Sequence, residues 1–395
     1  MKLVHIADMH LGFRQYQRQT ASGINQREAD VAASFRRAID RIIELKPDVV
    51  LIAGDVFHAV RPTNPAILHA YSHLSRLVQM LPDASVVIVS GNHDTPRTAE
   101  TGCLLRLFAT LGIHVVDGDP RRIPLRDGEL SVLAVPFSMG PRPAFNPDPS
   151  ARYNVLLLHD EVEGVINRFG SVPPPGVGDL SLKELKPDNW DYVALGHYHV
   201  YRKVAPNAYY SGSLDYATTN IWGEVEDEAR LGVEHKGFIE QNLATGAHKF
   251  HRVDFERKVI DLPLIEGRQM TAAQLSEAIC AAVDGCPGGI DDQIVRLVVN
   301  DVPRHMLREL DHRSIREFKK RALHFLLDAR RPKPTRMQAA SGAPGRRASL
   351  TDTVRAMLES REVTAGIERS SLVDLGLHYL AEADRMAPAM SGDLA

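Results

Sequence analysis

Residues 86–94 read VVIVSGNHD, an apolar run that stops abruptly at Gly91, Asn92, His93 and Asp94. Apolar and small residues in succession suit a strand buried on both faces. The turn after such a strand calls for a glycine and, at most, an asparagine. It does not call for an imidazole and a carboxylate at the next two positions.

The same kind of ending recurs along the chain. IADMH leaves Asp8 and His10 at the end of an apolar segment, and LIAGDVFH leaves Asp55 and His58. VLLLHD leaves His159 and Asp160, and ALGHYH leaves His197 and His199. Ligand sites of layered α/β proteins form just beyond the carboxyl ends of strands. If these tips share one edge, they gather three or more carboxylates, an amide and six histidines in one place. Acids packed together without counter-charge have raised pKa values and cost stability. Divalent cations remove that cost, and a mixed Asp, Asn and His set suits manganese, iron or zinc better than calcium, which takes oxygen ligands. The Asp-x-His and His-x-His spacings put both side chains on one side of an extended segment. Gly54, Gly91 and Gly196 stand just before the ligands and allow tight turns and close backbone approach.

Around these tips the periodicity predicts alternating elements. Strands are expected at KLVHIAD (2–8), DVVLIAGD (48–55), SVVIVSGNHD (85–94), LSVLAVP (130–136), NVLLLHD (154–160) and DYVALGH (191–197). Helices are expected over 27–45, with apolar spacing at Val31, Phe35, Ala38, Ile39, Ile42 and Ile43, and over 64–80. Pro-rich stretches at 141–149 and 172–176 read as surface loops. The pattern implies a layered α/β or α+β domain over 1–255, with helices covering the sheet. VIDLPLIEG, the helical TAAQLSEAICAAV, QIVRLVVND, a helix through 313–320 and ALHFLLDA then predict a smaller α+β domain over 256–331. Residues 332–348 are rich in Pro, Gly, Ala and Ser and read as a basic flexible linker. Two amphipathic helices are expected over 349–385, one lined by Leu350, Val354, Met357 and Leu358, the other by Leu372, Leu375, Tyr379 and Leu380. There is no internal repeat.

The 395 residues suffice for a large core and more than one domain, and 44% hydrophobic with 25% charged residues is ordinary for a globular protein. No run approaches the roughly 18 apolar residues of a membrane helix. MKLVHIADMH runs straight into a strand and leaves no room for a signal segment. Cys103, Cys280 and Cys286 are too few and scattered for a disulfide framework or a thiolate metal cage, so a reduced, cytoplasmic compartment is expected. The formal net charge is −3, but residues 313–347 carry eleven basic residues against two acidic ones, a surplus of nine. Such a tract is commonly a solvated linker; it is also what a phosphate-backbone contact looks like.

The ordered set Asp8-x-His10, Gly54-Asp55-x-x-His58, Gly91-Asn92-His93-Asp94, His159 and Gly196-His197-x-His199 resembles the calcineurin-like metallophosphoesterase superfamily. Within it, DMHLG, GDVFH and DNWDYVALGHYHVYRKV followed by YYSGSLD are similar to the SbcD-type nucleases, the nuclease subunits of the SbcCD double-strand-break repair complex and its archaeal and eukaryotic counterparts. The resemblance covers residues 1–255 well and 256–331 more loosely, where the family has a DNA-capping domain. It implies a four-layer β-sandwich flanked by helices and two divalent metal ions per chain, most often Mn2+. Asp8, His10 and His199 would bind one ion and Asn92, His159 and His197 the other, with Asp55 bridging. Two such ions can hold a phosphodiester and activate water. His93 would protonate or stabilise the leaving oxygen, Asp94 would orient His93, and His58 would contact the substrate phosphate or sugar. The implied activity is exonuclease action on double-stranded DNA ends and endonuclease action on single strands, with Arg313, Arg316, Lys319, Lys320, Arg330 and Arg331 near DNA. The implied partners are DNA, an SMC-like ATPase that receives the terminal helices, and a second copy of the chain, at a cytoplasmic, nucleoid-associated location.

His159 departs from the family pattern, because Asp160 and Glu161 follow it where small or apolar residues are more usual. Other histidines have plainer readings. His5 lies inside the first strand and is expected to be a satisfied core residue. His69 and His73 are expected on an exposed helix face, and His235, His248 and His251 on the surface. Two rival functions remain: a general phosphodiesterase or phosphatase, which would need neither the extra domain nor the terminal helices, and a non-catalytic scaffold for the ATPase, which would not need all the ligands.

Overall fold

A computed structural model describes residues 1–96, 98, 102–138, 142–165, 180–233, 235–332, 349–361, 363 and 368–386. The predicted linker, apart from Pro332, and the loop at 172–176 lie outside the described residues. The chain divides into two compact units, Met1–Pro332 and Lys333–Ala395.

The first unit begins with β1 (Lys2–Ile6), α1 (Gln26–Leu45), β2 (Val49–Ala53), α2 (Asn64–Met80), β3 (Ser85–Val89) and β4 (His114–Val116). There follow β5 (Arg121–Leu125), β6 (Leu130–Val135), β7 (Tyr153–His159), the one-turn α3 (Leu182–Leu185) and β8 (Tyr192–Gly196). β9 (Arg202–Ala205), β10 (Ala208–Tyr210), α4 (Ile221–Leu231), β11 (Gly237–Asn242) and β12 (His248–Arg252) complete the sandwich. Two six-stranded sheets result, in the orders β12-β11-β1-β2-β3-β4 and β5-β6-β7-β8-β10-β9. β1 to β4 run parallel, as do β6 to β8.

Three cores fill the space between layers, and the period-two alternation of strand side chains assigns residues to them. Leu3, Ala7, Val49, Leu51, Val87 and Val89 of the first sheet meet Val132, Ala134, Val155, Leu157 and Ala194 of the second. The opposite face of the first sheet, with Val4, Ile6, Val50, Ile52 and Ile88, packs on α1 and α2 through Val31, Phe35, Ile39, Ala70 and Leu74. The outer face of the second sheet, with Leu156, Leu158, Val193 and Leu195, is covered by Phe145, Val162, Leu180, Leu185 and Trp190. The helices begin where their caps dictate: Asn25 accepts from the amides of Arg27 and Glu28, and Thr63 from Ala66 ahead of a helix with Pro65 in its first turn.

β13 (Val259–Glu266), α5 (Ala272–Asp284), β14 (Ile294–Asn300), α6 (Arg304–Glu309), α7 (His312–Arg321) and β15 (His324–Ala329) form a three-stranded parallel sheet with its own core around Leu275, Ile279, Leu297, Ile315 and Phe325. This part is clamped to the sandwich. Arg18 bonds Asp292 and the carbonyls of Lys320 and Ala322, Arg257 reaches Asp30 and the Asp292 carbonyl, and Tyr16 stacks on His324 at 4.2 Å.

In the second unit, α8 (Leu350–Ser360) and α9 (Arg369–Met386) pack on each other through Leu358 and Val373. Leu350, Met357, Leu375 and Tyr379 of the expected apolar faces are exposed. Among the described residues, no helix is long and apolar enough to cross a membrane.

The histidines need three corrections. His69 and His73 are half-buried between α1 and α2: His69 bonds the Ala32 carbonyl at 2.8 Å, and both rings face Phe35. His251 is buried, stacked on Phe238 and bonded to Glu240. His248 is half-buried and stacks on Tyr209 at 4.0 Å, and His235 too is half-buried. A one-dimensional pattern places a residue on a helix or strand but does not say which neighbour covers it.

His5 is the core histidine expected, held between the sheets by the Tyr192 hydroxyl at 3.1 Å and the Leu195 carbonyl at 3.2 Å. Burial pushes its pKa down from 6.5 to about 3. The unfolded chain therefore binds a proton at His5 below pH ~6.5, whereas the folded chain stays neutral there. Its contribution to stability is complete above that pH and is lost as pH falls towards 3, at up to about 1.4 kcal/mol per unit. Urea unfolding of a His5→Gln variant between pH 6 and 4 should show a pH slope shallower by about one proton; an unchanged slope would refute this.

Candidate metal centre

The parallel order of β1, β2 and β3 in one sheet and of β7 and β8 in the other puts five carboxyl ends on a single edge. The backbone there takes conformations that L-residues seldom adopt. Asp8, His10, Asp55 and His197 have φ of 52°, 45°, 50° and 108°. Bonds between adjacent loops hold them: the amide of Asp8 donates to the Gly54 carbonyl at 3.1 Å and that of His10 to the Asp55 carbonyl at 3.0 Å. At Gly91 a Cβ would stand 2.1 Å from Asp55 Oδ1, so only glycine lets the turn after β3 close on Asp55.

All seven predicted metal ligands meet here. His10 Nε2 and His199 Nε2 are 2.9 Å apart. Asn92 Oδ1 lies 3.0 Å from both His159 Nε2 and His197 Nδ1. Asp55 Oδ2 stands between the two groups, 3.6 Å from His10 Nε2 and 3.6 Å from His159 Nε2. Asp8, His10 and His199 offer donor atoms within 4.8 Å of one another, and so do Asp8, Asp55 and His159. Metal–nitrogen bonds of about 2.0–2.1 Å place neighbouring ligand atoms about 3 Å apart, which is the spacing found. The donor set fits divalent cations.

The electrostatics agree. Burial, reinforced by His199, His93 and His58, holds His10 well below its ordinary pKa, so one of its ring nitrogens keeps a free lone pair. Burial raises the Asp8 carboxyl to about 6, with Asp55 adding to it. For His159 burial works downward, but Asp55 and Asp8 outweigh it and the net shift is upward. Carboxylates desolvated together in this way are the condition that a cation relieves.

Each inward-facing imidazole is held from behind. His159 Nδ1 bonds the Ala53 carbonyl at 2.8 Å, His199 Nδ1 bonds Glu224 Oε1 at 2.7 Å, and His197 Nε2 lies 3.9 Å from Glu161. His93 Nδ1 is held by the His58 carbonyl at 2.7 Å. His58 stacks on His93 with ring centroids 5.0 Å apart, and its Nδ1 is 3.4 Å from that of His10. Asp160, the charge that made His159 a departure, is paired by Arg142 at 2.5 and 3.0 Å.

Asp94 differs from the expectation. It does not face the His93 ring; its two oxygens accept from the amides of Val56, Phe57 and Gly91 at 3.0–3.1 Å. It ties the loop after β2 to the turn after β3, and orients His93 only through the backbone. Three main-chain amides take the Asp94 oxygens, while His93 Nδ1 is taken by the His58 carbonyl. Burial, with Asp55 beside it, raises its pKa to about 7.

The basic residues of α7 lie elsewhere in the fold. Arg313, Arg316, Lys319 and Lys320 are exposed while Ile315 and Phe318 turn inward. Arg330 and Arg331 are also exposed, Arg330 pairing with Asp328. Sequence reasoning missed Glu224 and Lys236. IWGEVEDEARL reads as a solvated acidic helix, and nothing in it signals a partner 25 residues upstream.

Strand-end aspartates, an asparagine and histidines gathered on one edge of a two-sheet sandwich define a phosphoesterase type of metal site. Residues 1–201 match the calcineurin-like phosphoesterase family, and the chain belongs to it. Among curated proteins it is similar to a "DNA double-strand break repair protein Mre11" of Methanococcus maripaludis, 30% identical over 260 residues, covering 62% of this chain and 63% of the relative. The Methanocaldococcus jannaschii protein of the same name is 29% identical over 280 residues, 67% and 66% of the two chains. That of Aeropyrum pernix is 31% identical over 237 residues, 54% and 53%. The chain thus spans less than two thirds of the length of these relatives.

Gly91→Ala should drive Cβ into Asp55, costing about 1–3 kcal/mol as overpacking does. Divalent cations should raise the melting temperature of the parent protein, and Gly91→Ala should abolish that rise. A variant with parental stability and cation response would contradict the close approach.

Proposed function

We propose that the protein is a manganese-dependent DNA nuclease of double-strand-break repair, degrading double-stranded ends and cutting single strands. The observation that carries the reading is the position of Asp55 Oδ2, equidistant at 3.6 Å from a histidine of each donor group, in a chain whose relatives are named as break-repair proteins. Asp8, His10 and His199 would hold one cation, Asn92, His159 and His197 a second, and Asp55 both. Bound there, divalent cations supply Lewis-acid polarisation of a phosphodiester and a nucleophile at neutral pH.

The chain's own groups do the rest. His93 Nδ1 donates to the His58 carbonyl, which leaves Nε2 as the nitrogen that binds a proton and passes it to the leaving oxygen. His58, beside His93 and His10, would contact the scissile phosphate or the sugar. Asp94 keeps both loops in register through its three amide bonds. The exposed face of α7, with Arg330 and Arg331, would track the phosphate backbone; Arg313, Arg316 and Lys319 have no side-chain partner among the described residues. The exposed Leu350, Met357, Leu375 and Tyr379 of the terminal helices suit the apolar groove of an SMC-like ATPase. A homodimer and a cytoplasmic, nucleoid-associated location belong to the same reading.

End-labelled linear duplex incubated with Mn2+ should be degraded progressively, and His93→Ala should slow this by about 10²- to 10⁴-fold. Turnover of a small chromogenic phosphodiester with the duplex left intact, even with the ATPase present, would instead make the protein a general phosphodiesterase. For the basic face, anisotropy titrations of duplex DNA across salt concentrations should show the log–log slope of an Arg313/Arg316/Lys319→Ala variant reduced by up to about 0.9 per residue removed. An unaltered slope would place the DNA path elsewhere.

A further inference from the structure

We infer that Glu224 and Lys236 are positioning residues for His199, and that they set the affinity of one of the two cation sites. The inference rests on the reading of His199 as a metal ligand. Its ring is gripped on both edges: Nε2 faces His10 Nε2 at 2.9 Å, and Nδ1 bonds Glu224 Oε1 at 2.7 Å. The second oxygen of Glu224 lies 2.7 Å from Lys236 Nζ. That ammonium also donates to the backbone carbonyl of His199 at 2.9 Å, so ring and main chain of one ligand are held by one pair of residues.

The pair is built into the fold. Lys236 is only 2% exposed; it forms an ion pair with Glu228 at 2.8 Å and lies over the Tyr216 ring at 4.7 Å. The Tyr216 hydroxyl donates to the other Glu228 oxygen at 2.6 Å. Glu224 and Glu228 lie one turn apart on α4, which Arg296 of β14 fixes from another side through Glu226 and the face of Trp222. Glu224 therefore sits on an immobilised element and has little freedom to follow a displaced ring.

A buried lysine between two carboxylates is an expensive way to stabilise a fold, since apolar residues of similar volume commonly do as well. It suits the holding of a ligand. A carboxylate behind an imidazole fixes the tautomer with hydrogen on Nδ1, fixes the ring plane and increases the basicity of Nε2, and loss of such a partner typically weakens metal affinity 10- to 100-fold. Glu224 holds His199 alone: His159 is held by the Ala53 carbonyl at 2.8 Å, and His197 Nε2 lies 3.9 Å from Glu161. The two sites should accordingly differ in how they respond to loss of Glu224.

The test is a titration of the full chain with Mn2+, following the free ion by electron paramagnetic resonance. The parent should bind two ions. Glu224→Gln keeps the shape and leaves Lys236 its Glu228 partner; it should lose roughly 10- to 100-fold affinity at one site and leave the other unchanged. DNA degradation by this variant should return to near the parental kcat at saturating Mn2+, with the half-saturating Mn2+ concentration raised by the same factor. Parental affinity at both sites in a folded Glu224→Gln protein would overturn the inference. If Glu224→Gln fails to fold, Glu224→Asp preserves the charge opposite Lys236 and withdraws it from Nδ1 by one methylene; a weaker loss at the same site supports the inference and parental binding overturns it. A parent protein that binds no Mn2+ would refute the metal-centre reading itself, an outcome distinct from either.

Discussion

The two sheets meet closely at the carbonyl of Ala53, at the end of β2. A Cβ on Gly196 of β8 would lie 1.8 Å from that oxygen, and His159 Nδ1 of β7 bonds the same oxygen at 2.8 Å. This contact decides how far the strand ends of one sheet stand from those of the other. Asp55 and Asn92 hang from the first sheet, His159 and His197 from the second, and no donor group reaches a spacing near 3 Å unless the sheets touch here. Packing of Leu51, Val87, Val155 and Leu157 between the layers keeps them touching.

The site stores the cost of its own arrangement. Four of the seven candidate ligand residues have positive φ, each an uphill conformation of about 1–3 kcal/mol outside glycine. Burial raises the Asp8 carboxyl and holds the pKa of His10 down, so both carry the cost of desolvation. Two kinds of restraint oppose relaxation. The amides of Val56, Phe57 and Gly91 converge on Asp94, and the buried Lys236–Glu224 pair grips His199. Donor groups pre-set in this way have little reorganisation left to make when a charged group enters.

Within the first unit, arginines join the three-stranded sheet to the sandwich. Arg18, Arg257 and Arg296 each reach across, and the apolar contact of Ile221 and Tyr216 with Ile294 and Leu323 fills the joint. Arg27, buried in α1, bonds Asp30 at 3.0 Å and Asp215 at 2.7 Å, and Asp30 in turn bonds Arg257. The joint and the metal centre share α4, whose Glu226 faces the small domain and whose Glu224 faces His199.

Much of this protein could be read without coordinates. Strand periodicity, and a turn glycine followed by acidic, amide and imidazole side chains, singled out the strand tips that carry Asp8, His10, Asp55, Asn92, His159, His197 and His199, because those signals are local in the chain; the choice of these seven as metal ligands is what the family resemblance implied. The alternation of elements implied a layered α/β or α+β domain for the same reason, and the two-sheet sandwich was what the family resemblance added. What remained hidden depends on which surfaces touch. Asp94 looked like a partner for the adjacent His93 until the loop after β2 brought three amides to it. His69 and His73 looked exposed because their helical spacing says nothing of α1 beside them. Glu224 and Lys236 are 25 and 37 residues from His199, in an acidic, unremarked helix and in the connection just before β11. Local spacing determined the chemistry this chain can offer; only the packing of β2 against β8 and of α4 against both domains decided where each group points, because long-range contacts carry no period.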